Sequence, residues 1–345
     1  LCYKKLNMSK KNSSVILKNS FQEFKDLSLI FNSFKKKIDK LKKNSYAIAV
    51  SGGPDSLALV ALSKAYSYQK KNNFKYILVN HNIRKNSFTE AKKVKKILHK
   101  LKINLVIISN TKKIDKNIQS NARKIRYEIL SNFCIKHKIK YLLTAHNLED
   151  QVETFFIRLS RGSGLKGLSS MKVLSKLNNK VKLLRPLLDI KKRQLIKISK
   201  IIFGNYIKDP SNQDNKFLRT KIRGLKIPLK KSGISYDQIY KSIKYLGSSD
   251  QILDKYNKKI IKETVIKFRG QIQIDLKKYE KLDEETKIII LNKSIRSLKK
   301  NYYNVRSKKI TNLINSLNNQ KFKKYTLGGC IFTKEKDKIS LKLEK

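Results

Sequence analysis

A chain of 345 residues is long enough to bury a sizeable core and reads as two domains. Its 81 basic against 25 acidic residues leave a net charge of +56, which exceeds the needs of solubility and points to a polyanionic partner, nucleic acid first. Only 12 of the 81 are Arg, and an AT-rich coding sequence would also inflate Lys in this way. Three scattered cysteines, Cys2, Cys134 and Cys330, exclude a disulfide framework and a zinc ribbon and suit a reducing cytoplasm; no apolar run reaches membrane-spanning length, so no membrane is expected.

Residues 1–20 are polar and Lys-rich, read as disordered, lack a signal-peptide core, and make Met8 the expected start. Phe21, Phe24, Leu27, Phe31, Phe34, Ile38 and Leu41 then recur every three or four residues, the pattern of an amphipathic helix. Tyr46–Val50 is short and apolar, runs into Ser51-Gly52-Gly53-Pro54-Asp55-Ser56, and is followed by the helical pattern Leu57–Leu62: a strand, a tight turn and a helix start. Gly52 and Gly53 permit positive φ, so successive N–H groups can face one concavity; Ser51 and Ser56 add hydroxyls and the helix end adds partial positive charge. Such a loop suits phosphate. It is not a Walker A loop, because no Gly-Lys-Ser/Thr follows; Asp55 instead places a carboxylate beside the phosphates, as a bridging divalent cation would require.

Further apolar runs at 76–79, 105–108 and 141–143 alternate with helical patterns at 88–101 and 122–137, which predicts a parallel sheet covered on both faces. Ligands on such sheets bind at the strand C-termini, so the residues just after each run matter most. The second run ends in Val79-Asn-His81-Asn-Ile-Arg84. The helix opening near 117 carries Arg123 and Arg126, three apart on one face and able to grip phosphate or developing negative charge. After the 141–143 run, His146, Glu149, Asp150 and Glu153 share one face of a helix start, where three acids could hold Mg²⁺ while His146 handles protons. Leu148, Val152, Phe155, Phe156 and Leu159 form its apolar face, and Arg161-Gly-Ser-Gly-Leu-Lys-Gly-Leu168 supplies a flexible, donor-rich loop close by.

The 51–56 loop resembles the SGGxDS loop of the PP-loop ATP pyrophosphatases, and 79–84 and 122–127 are similar to the VDHxLR and ARxxRY motifs of one branch of them. With Ala145–Thr154, Arg161–Leu168, Arg185-Pro-Leu-Leu188, Asp209-Pro-Ser-Asn212 and Phe217–Arg223 in order, the series over 46–223 resembles the tRNA(Ile)-lysidine synthetase family. Asn80, Gln119 and Glu149 depart from that family's acid, acid and Asp. The resemblance implies ATP and Mg²⁺, free L-lysine, and a tRNA(Ile) with a CAU anticodon, whose wobble cytidine is adenylated and then joined to lysine with release of pyrophosphate and AMP. It implies ATP contacts at Ser51, Gly52, Gly53, Pro54, Asp55 and Ser56, and a metal at Asp55 and Asp150. Catalytic roles would fall to His146, Glu149, Asp150, Arg123 and Arg126, and substrate contacts to His81, Arg84, Arg161, Arg219 and Arg223.

Beyond residue 223 the pattern turns helical and very basic, with Tyr236, Tyr240, Tyr245 and Tyr256 among lysines, a mixture that suits nucleic acid. A strand is expected at 271–276, helices at 279–299 and 306–317, and a closing hairpin at 325–343. The expected organisation is a disordered arm at 1–20, an α/β parallel-sheet PP-loop domain at 21–223, and a mainly helical tRNA-binding domain at 224–345. Two rival functions stand beside this: a PP-loop tRNA thiolase, which would need reactive cysteines, and a non-catalytic basic RNA-binding protein, which would leave the carboxylate face and the phosphate loop without purpose.

Overall fold

The computed structural model describes residues 17, 20–41, 45–70, 72–83, 86–112, 118–207, 218–268, 270–299, 307–319 and 322–344. The arm expected before residue 21, Arg84, Asp209–Asn212 and Phe217 lie mostly or wholly outside them. In chain order the first elements are α1 (Lys25–Asp39), β1 (Ser45–Val50), α2 (Pro54–Gln69), β2 (Asn73–Asn80), α3 (Ser87–His99), β3 (Leu105–Ser109), α4 (Ile118–Lys136) and β4 (Tyr141–Leu143). There follow α5 (Leu148–Leu159), α6 (Leu165–Leu168), β5 (Leu174–Lys176), β6 (Lys182–Leu184), α7 (Lys192–Phe203), α8 (Leu218–Gly224), α9 (Lys226–Lys231) and α10 (Tyr236–Thr264).

Period-two alternation decides what covers the sheet. Tyr46, Ile48 and Leu143 face a core shared with Phe34 of α1, Leu57 and Leu62 of α2, Val94 of α3 and Leu195 of α7. Ala47, Ile77 and Leu142 face the opposite side, against Leu130 and Cys134 of α4. Burial on both faces is why these strands read as continuous apolar runs. The sheet has the order β3-β2-β1-β4-β6-β5, parallel except for β5, which runs antiparallel to β6. Strands β5 (Leu-Ser-Lys) and β6 (Lys-Leu-Leu) were not expected: each has three residues and, unlike the equally short β4 (Tyr-Leu-Leu), neither is apolar throughout. Because the chain moves from β1 outward to β2 and β3 and then returns to β4 on the other flank, the order reverses between β1 and β4, and a crevice opens at their C-terminal ends.

The described structure divides into two compact units, Leu1–Leu246 and Gly247–Lys345. The sequence pattern placed the boundary after residue 223, but Leu229, Tyr236, Ile239, Tyr240 and Ile243 pack on Leu148, Val152, Phe155 and Phe156 of α5. That apolar seam binds residues 224–246 to the first unit. It also splits the tyrosine set: Tyr236 is buried and Tyr240 half-buried, whereas Tyr245 is 74 % and Tyr256 53 % exposed.

The second unit adds β7 (Val265–Phe268), β8 (Gln271–Asp275), α11 (Leu276–Glu280), α12 (Glu284–Leu298), α13 (Ser307–Leu317), β9 (Lys324–Leu327), β10 (Cys330–Lys334) and β11 (Lys338–Leu343). The expected closing hairpin is part of an antiparallel sheet in the order β7-β8-β11-β10-β9, whose buried face, with Ile274, Phe332 and Leu341, packs on Ile290, Leu291 and Leu313. The single helix expected over 279–299 is broken because Asp283 caps a new one, its carboxylate accepting the Thr286 N–H at 2.9 Å.

The turn after β1 is sterically closed to any residue but glycine at 52. Its φ is +79°, and a Cβ there would lie 2.5 Å from Val94 Cγ2. Gly52→Ala is therefore expected to destabilise the first unit by about 1–3 kcal/mol. Chemical denaturation measures this, and an unchanged midpoint would contradict the strain.

Candidate active site

The phosphate loop is built from local bonds. Gly52 takes the left-handed conformation, while Gly53 is extended (φ −73°) and acts as N-cap, so only the first glycine of the pair uses the positive φ open to both. Pro54 opens α2, where its missing N–H costs nothing. Ser56 Oγ donates to Gly53 O at 2.9 Å and accepts the Ser51 N–H at 3.2 Å, which fixes the curl of the loop; Ser51 stays exposed. Across the crevice, Asn147 and Asp150 form a reciprocal capping box: Asn147 Oδ1 accepts the Asp150 N–H at 2.9 Å and Asp150 Oδ2 accepts the Asn147 N–H at 3.1 Å. The Leu148 N–H donates to Ile190 O at 3.0 Å, and this seats the start of α5 beside the start of α7.

The three acids of α5 have partners that no local pattern reveals. Glu153 is only 3 % exposed; its Oε2 accepts Arg219 Nε at 2.6 Å and its Oε1 accepts Arg223 Nε at 2.7 Å. Arg219 also reaches Asp150 Oδ1 through Nη2 at 3.0 Å. Glu149 Oε2 accepts the backbone N–H of Lys192 at 2.8 Å, and its Oε1 pairs with Lys226 at 3.3 Å. Arg219 and Arg223, expected to face lysine or RNA, thus spend their Nε donors on the acid face.

Asp55 differs from them. Its Oδ1 is buried without a hydrogen-bond partner, and burial, reinforced by the nearby Asp150 and Glu149 carboxylates against the pull of Lys192, pushes its pKa up to about 7. A buried oxygen lacking a donor, close to a second carboxylate, fits a divalent cation. No group of three His, Cys, Asp or Glu side chains closes round a metal among the described residues. Asp55 and Asp150 therefore suit an ion that keeps water and phosphate oxygens as its other ligands.

His146 lies at the same rim with Nδ1 2.9 Å from Thr144 Oγ1. Burial first, then the charges of Arg185, Arg123, Arg219 and Arg126, lower its pKa to about 3, so the ring is neutral at physiological pH. It can accept or relay a proton but brings no positive charge of its own. Arg126 Nε donates to His81 Nε2 at 3.2 Å, and burial followed by Arg126 lowers His81 to about 4. Arg123 lies over the Tyr127 ring at 5.0 Å. Asn80 is buried and spent on its own turn, donating to Asn82 Oδ1 at 2.7 Å. Arg161 stands exposed in the turn after α5. The arginine that holds the glycine-rich loop is Arg158, whose Nη1 donates to Gly167 O at 2.6 Å and Ser170 O at 3.0 Å.

Two site residues were missed by spacing alone. Arg185 follows β6, bonds Lys172 O at 2.9 Å, and has a buried Nε without a partner, near His146. Lys192 opens α7 beside Asp55. Arg185 follows the last parallel strand, so the strand-end rule would have found it had β6 been recognised; for Lys192, one Lys among many, no signal stood out.

A carboxylate-bearing Gly-Gly loop, facing a histidine ringed by arginines across the switch point of a parallel sheet, defines a PP-loop protein. The PP-loop domain family model matches residues 27–229. A "tRNA(Ile)-lysidine synthase" of Orientia tsutsugamushi (strain Boryong) is 38% identical over 259 residues, covering 71% of this chain and 57% of that protein. The protein of the same name from Wolbachia sp. subsp. Brugia malayi (strain TRS) is 33% identical over 331 residues, 94% of this chain and 73% of its own. Among solved structures, the U34-tRNA thiolase NcsA of Methanococcus maripaludis shares the fold at 23% identity and a TM-score of 0.55, over 64% of this chain and 78% of its own. The chain belongs to the tRNA(Ile)-lysidine synthase family of PP-loop proteins. It spans a little over half the length of the Orientia relative and about three quarters of the Wolbachia one.

Two outcomes test the electrostatics. Glu153→Gln leaves two arginines short of a buried counter-charge and is expected to cost roughly 1–3 kcal/mol, less than a fully buried pair because both arginines are partly exposed. Thermal unfolding reads this, and no loss would mean that the ion pairs do not hold the helices. Asp55 has a folded pKa near 7 against an ordinary 3.8, so its contribution to stability is full below about pH 4 and is lost as pH rises through 7. Asp55→Asn should therefore raise the melting temperature at pH 8, with the gain vanishing towards pH 4; a pH-independent difference would contradict the burial of this carboxylate.

Proposed function

We propose that the chain is an ATP-dependent ligase that joins free lysine to the wobble cytidine of a CAU-anticodon tRNA(Ile). In the first step cytosine O2 attacks the α-phosphorus of ATP and pyrophosphate leaves. In the second, an amine of lysine attacks C2, the C2–O2 bond breaks, AMP departs with that oxygen, and the nitrogen gives up a proton. The observation that carries the reading is the placement of the 51–56 loop and the His146–arginine cluster on opposite sides of one crevice, between β1 and β4. Adenylation needs phosphate and a nucleophile held together, and a switch-point crevice supplies that proximity.

The loop N–H groups and the α2 N-terminus receive the triphosphate. Arg123, Arg126 and Arg185 supply fixed positive charge for oxygens that become more negative as each bond breaks. Asp55, with Asp150 nearby, would hold Mg²⁺, which when bound would supply positive charge for the pyrophosphate leaving group. His146, neutral and held by Thr144, is placed to take or relay the amine proton. Arg219 and Arg223 act through α5, holding Asp150 and Glu153 in place. The +56 charge supplies the attraction for tRNA.

Sulfur delivery fits less well. Cys134 is fully buried and burial pushes its thiol up to about 12, while Cys330 is buried and likewise raised. A binding protein without catalysis leaves the strained Gly52 turn and the unpartnered Oδ1 of Asp55 unexplained.

With ATP, Mg²⁺ and tRNA but no lysine, pyrophosphate should be released and an adenylated tRNA should accumulate. Adding radiolabelled lysine should then discharge AMP and place one lysine in the anticodon. Pyrophosphate release without label in the RNA would overturn the substrate while leaving the adenylation chemistry in place.

A further inference from the structure

Arg126 reaches the rim of the sheet from α4, and the side chain that receives it there is a neutral one: its Nε donates to His81 Nε2 at 3.2 Å. We propose that His81 is a positioning residue, which fixes the orientation of the Arg126 guanidinium without neutralising it and so keeps that charge available to the adenylation step. This rests on the adenylation reading, and it moves His81 from a substrate contact to a residue that acts through Arg126.

The placement follows from the sheet. Val50 pairs with Leu78 in parallel register, so the phosphate loop that begins at Ser51 and the turn that carries His81 leave neighbouring strands at the same edge. That turn is tied down on both sides of the histidine. Asn80 Oδ1 accepts the Asn82 N–H at 3.2 Å, and Asn80 Nδ2 donates to Asn82 Oδ1 at 2.7 Å. Asn82 sits in the left-handed region at φ +55°, which asparagine tolerates better than most residues. Its Nδ2 donates to Asn110 O at 3.0 Å, and the Asn110 N–H donates to Asn80 O at 2.7 Å. These bonds couple the ends of β2 and β3 and leave the His81 backbone little freedom.

The chemistry of the acceptor matters as much as its place. An imidazole that accepts at Nε2 carries its proton on Nδ1, so the ring is uncharged. Burial and then the Arg126 charge oppose a second proton and lower the pKa to about 4. Nδ1 is buried without a partner, a cost that a purely structural turn could avoid with an apolar side chain. A carboxylate at 81 would grip the guanidinium more strongly, but it would cancel the charge that the departing phosphate oxygens need. Asn80 obeys the same restriction. The family's acid there would put a negative charge one residue from His81 and, ionised, could not donate to Asn82. Neutral side chains at 80, 81, 82 and 110 therefore build this side of the rim.

The test follows pyrophosphate release by the full-length chain with ATP, Mg²⁺ and a CAU-anticodon tRNA(Ile), in variants that differ only in what they offer Arg126. His81→Ala offers no acceptor and should lower kcat by roughly 10- to 100-fold, with the KM for ATP little changed. His81→Gln, a neutral acceptor of similar reach, should recover most of that loss. His81→Glu brings a charge with its acceptor, so it should stay as slow as the alanine variant while its melting temperature equals or exceeds that of wild type. A contact that only ties α4 to β2 would give the reverse, a glutamate variant that is both stable and fast. In the double variant, Arg126→Gln with His81→Ala should be no slower than Arg126→Gln alone. A fast His81→Glu protein would overturn the assignment, as would a slow His81→Gln protein with an unchanged melting temperature. So would losses that multiply in the double variant, since His81 would then act on the substrate itself. Wild-type protein that releases no pyrophosphate would instead overturn the adenylation reading beneath it.

Discussion

One buried carboxylate holds the site together. Glu153 is almost inaccessible to water, and a charge so placed persists only when it is paired and fully hydrogen-bonded. Its two oxygens are satisfied by Arg219 and Arg223, drawn from a helix 66 and 70 residues further along the chain. With Glu153 out of water and both arginines only partly exposed, displacing either one would leave the buried charge short of a partner, so α8 is held onto α5. Asp150 shares Arg219, and Glu149 reaches both Lys226 and the start of α7. One turn and a half of acidic helix thereby anchors α7, α8 and α9 around the end of β4.

That anchoring leaves a divided electrostatic landscape. Glu149 and Glu153 are consumed by basic partners, while Asp150 gives one oxygen to Arg219 and stays close to Asp55. Of these site carboxylates, Asp55 keeps a buried oxygen, Oδ1, without a hydrogen-bond partner, and its burial favours the protonated form until a cation or other donor arrives. Opposite it, four arginines crowd a neutral histidine. Arginines packed this closely repel one another, and an anion among them would relieve the repulsion. A cation on the Asp55 side and an anion on the His146 side would relieve both, a complementarity that suits a polyphosphate.

The scaffold tolerates this strain because it lies at the sheet's edge of order and not inside its core. The strands β1, β2 and β4 are buried on both faces by aliphatic side chains, and the polar chemistry begins only where they end. Gly52 shows the tension at its sharpest: its carbonyl receives the Ile207 N–H, its Cα faces Val94, and its backbone takes a conformation open to glycine. The same residue closes the core and starts the phosphate cradle.

Much of this was legible in the chain itself. Short apolar runs between helical periods specified a parallel sheet, because the side-chain repeats of strand and helix are local properties of the backbone. The turn at 51–56 and the grouping of Glu149, Asp150 and Glu153 follow from spacing for the same reason, whereas His146, expected on the same helix face, stands before the Asn147 cap and outside the helix. Only the tertiary structure decided what those faces meet. Periodicity could not tell that Glu153 would be buried between arginines, that Tyr236 and Tyr240 would join an apolar seam while Tyr245 and Tyr256 stayed exposed, or that the seam would carry residues 224–246 into the first unit. Nor could it single out Arg185 and Lys192 from so many cations. Whether a charged side chain becomes part of a site depends on partners tens of residues away and on the water removed between them, and neither is encoded in any local repeat.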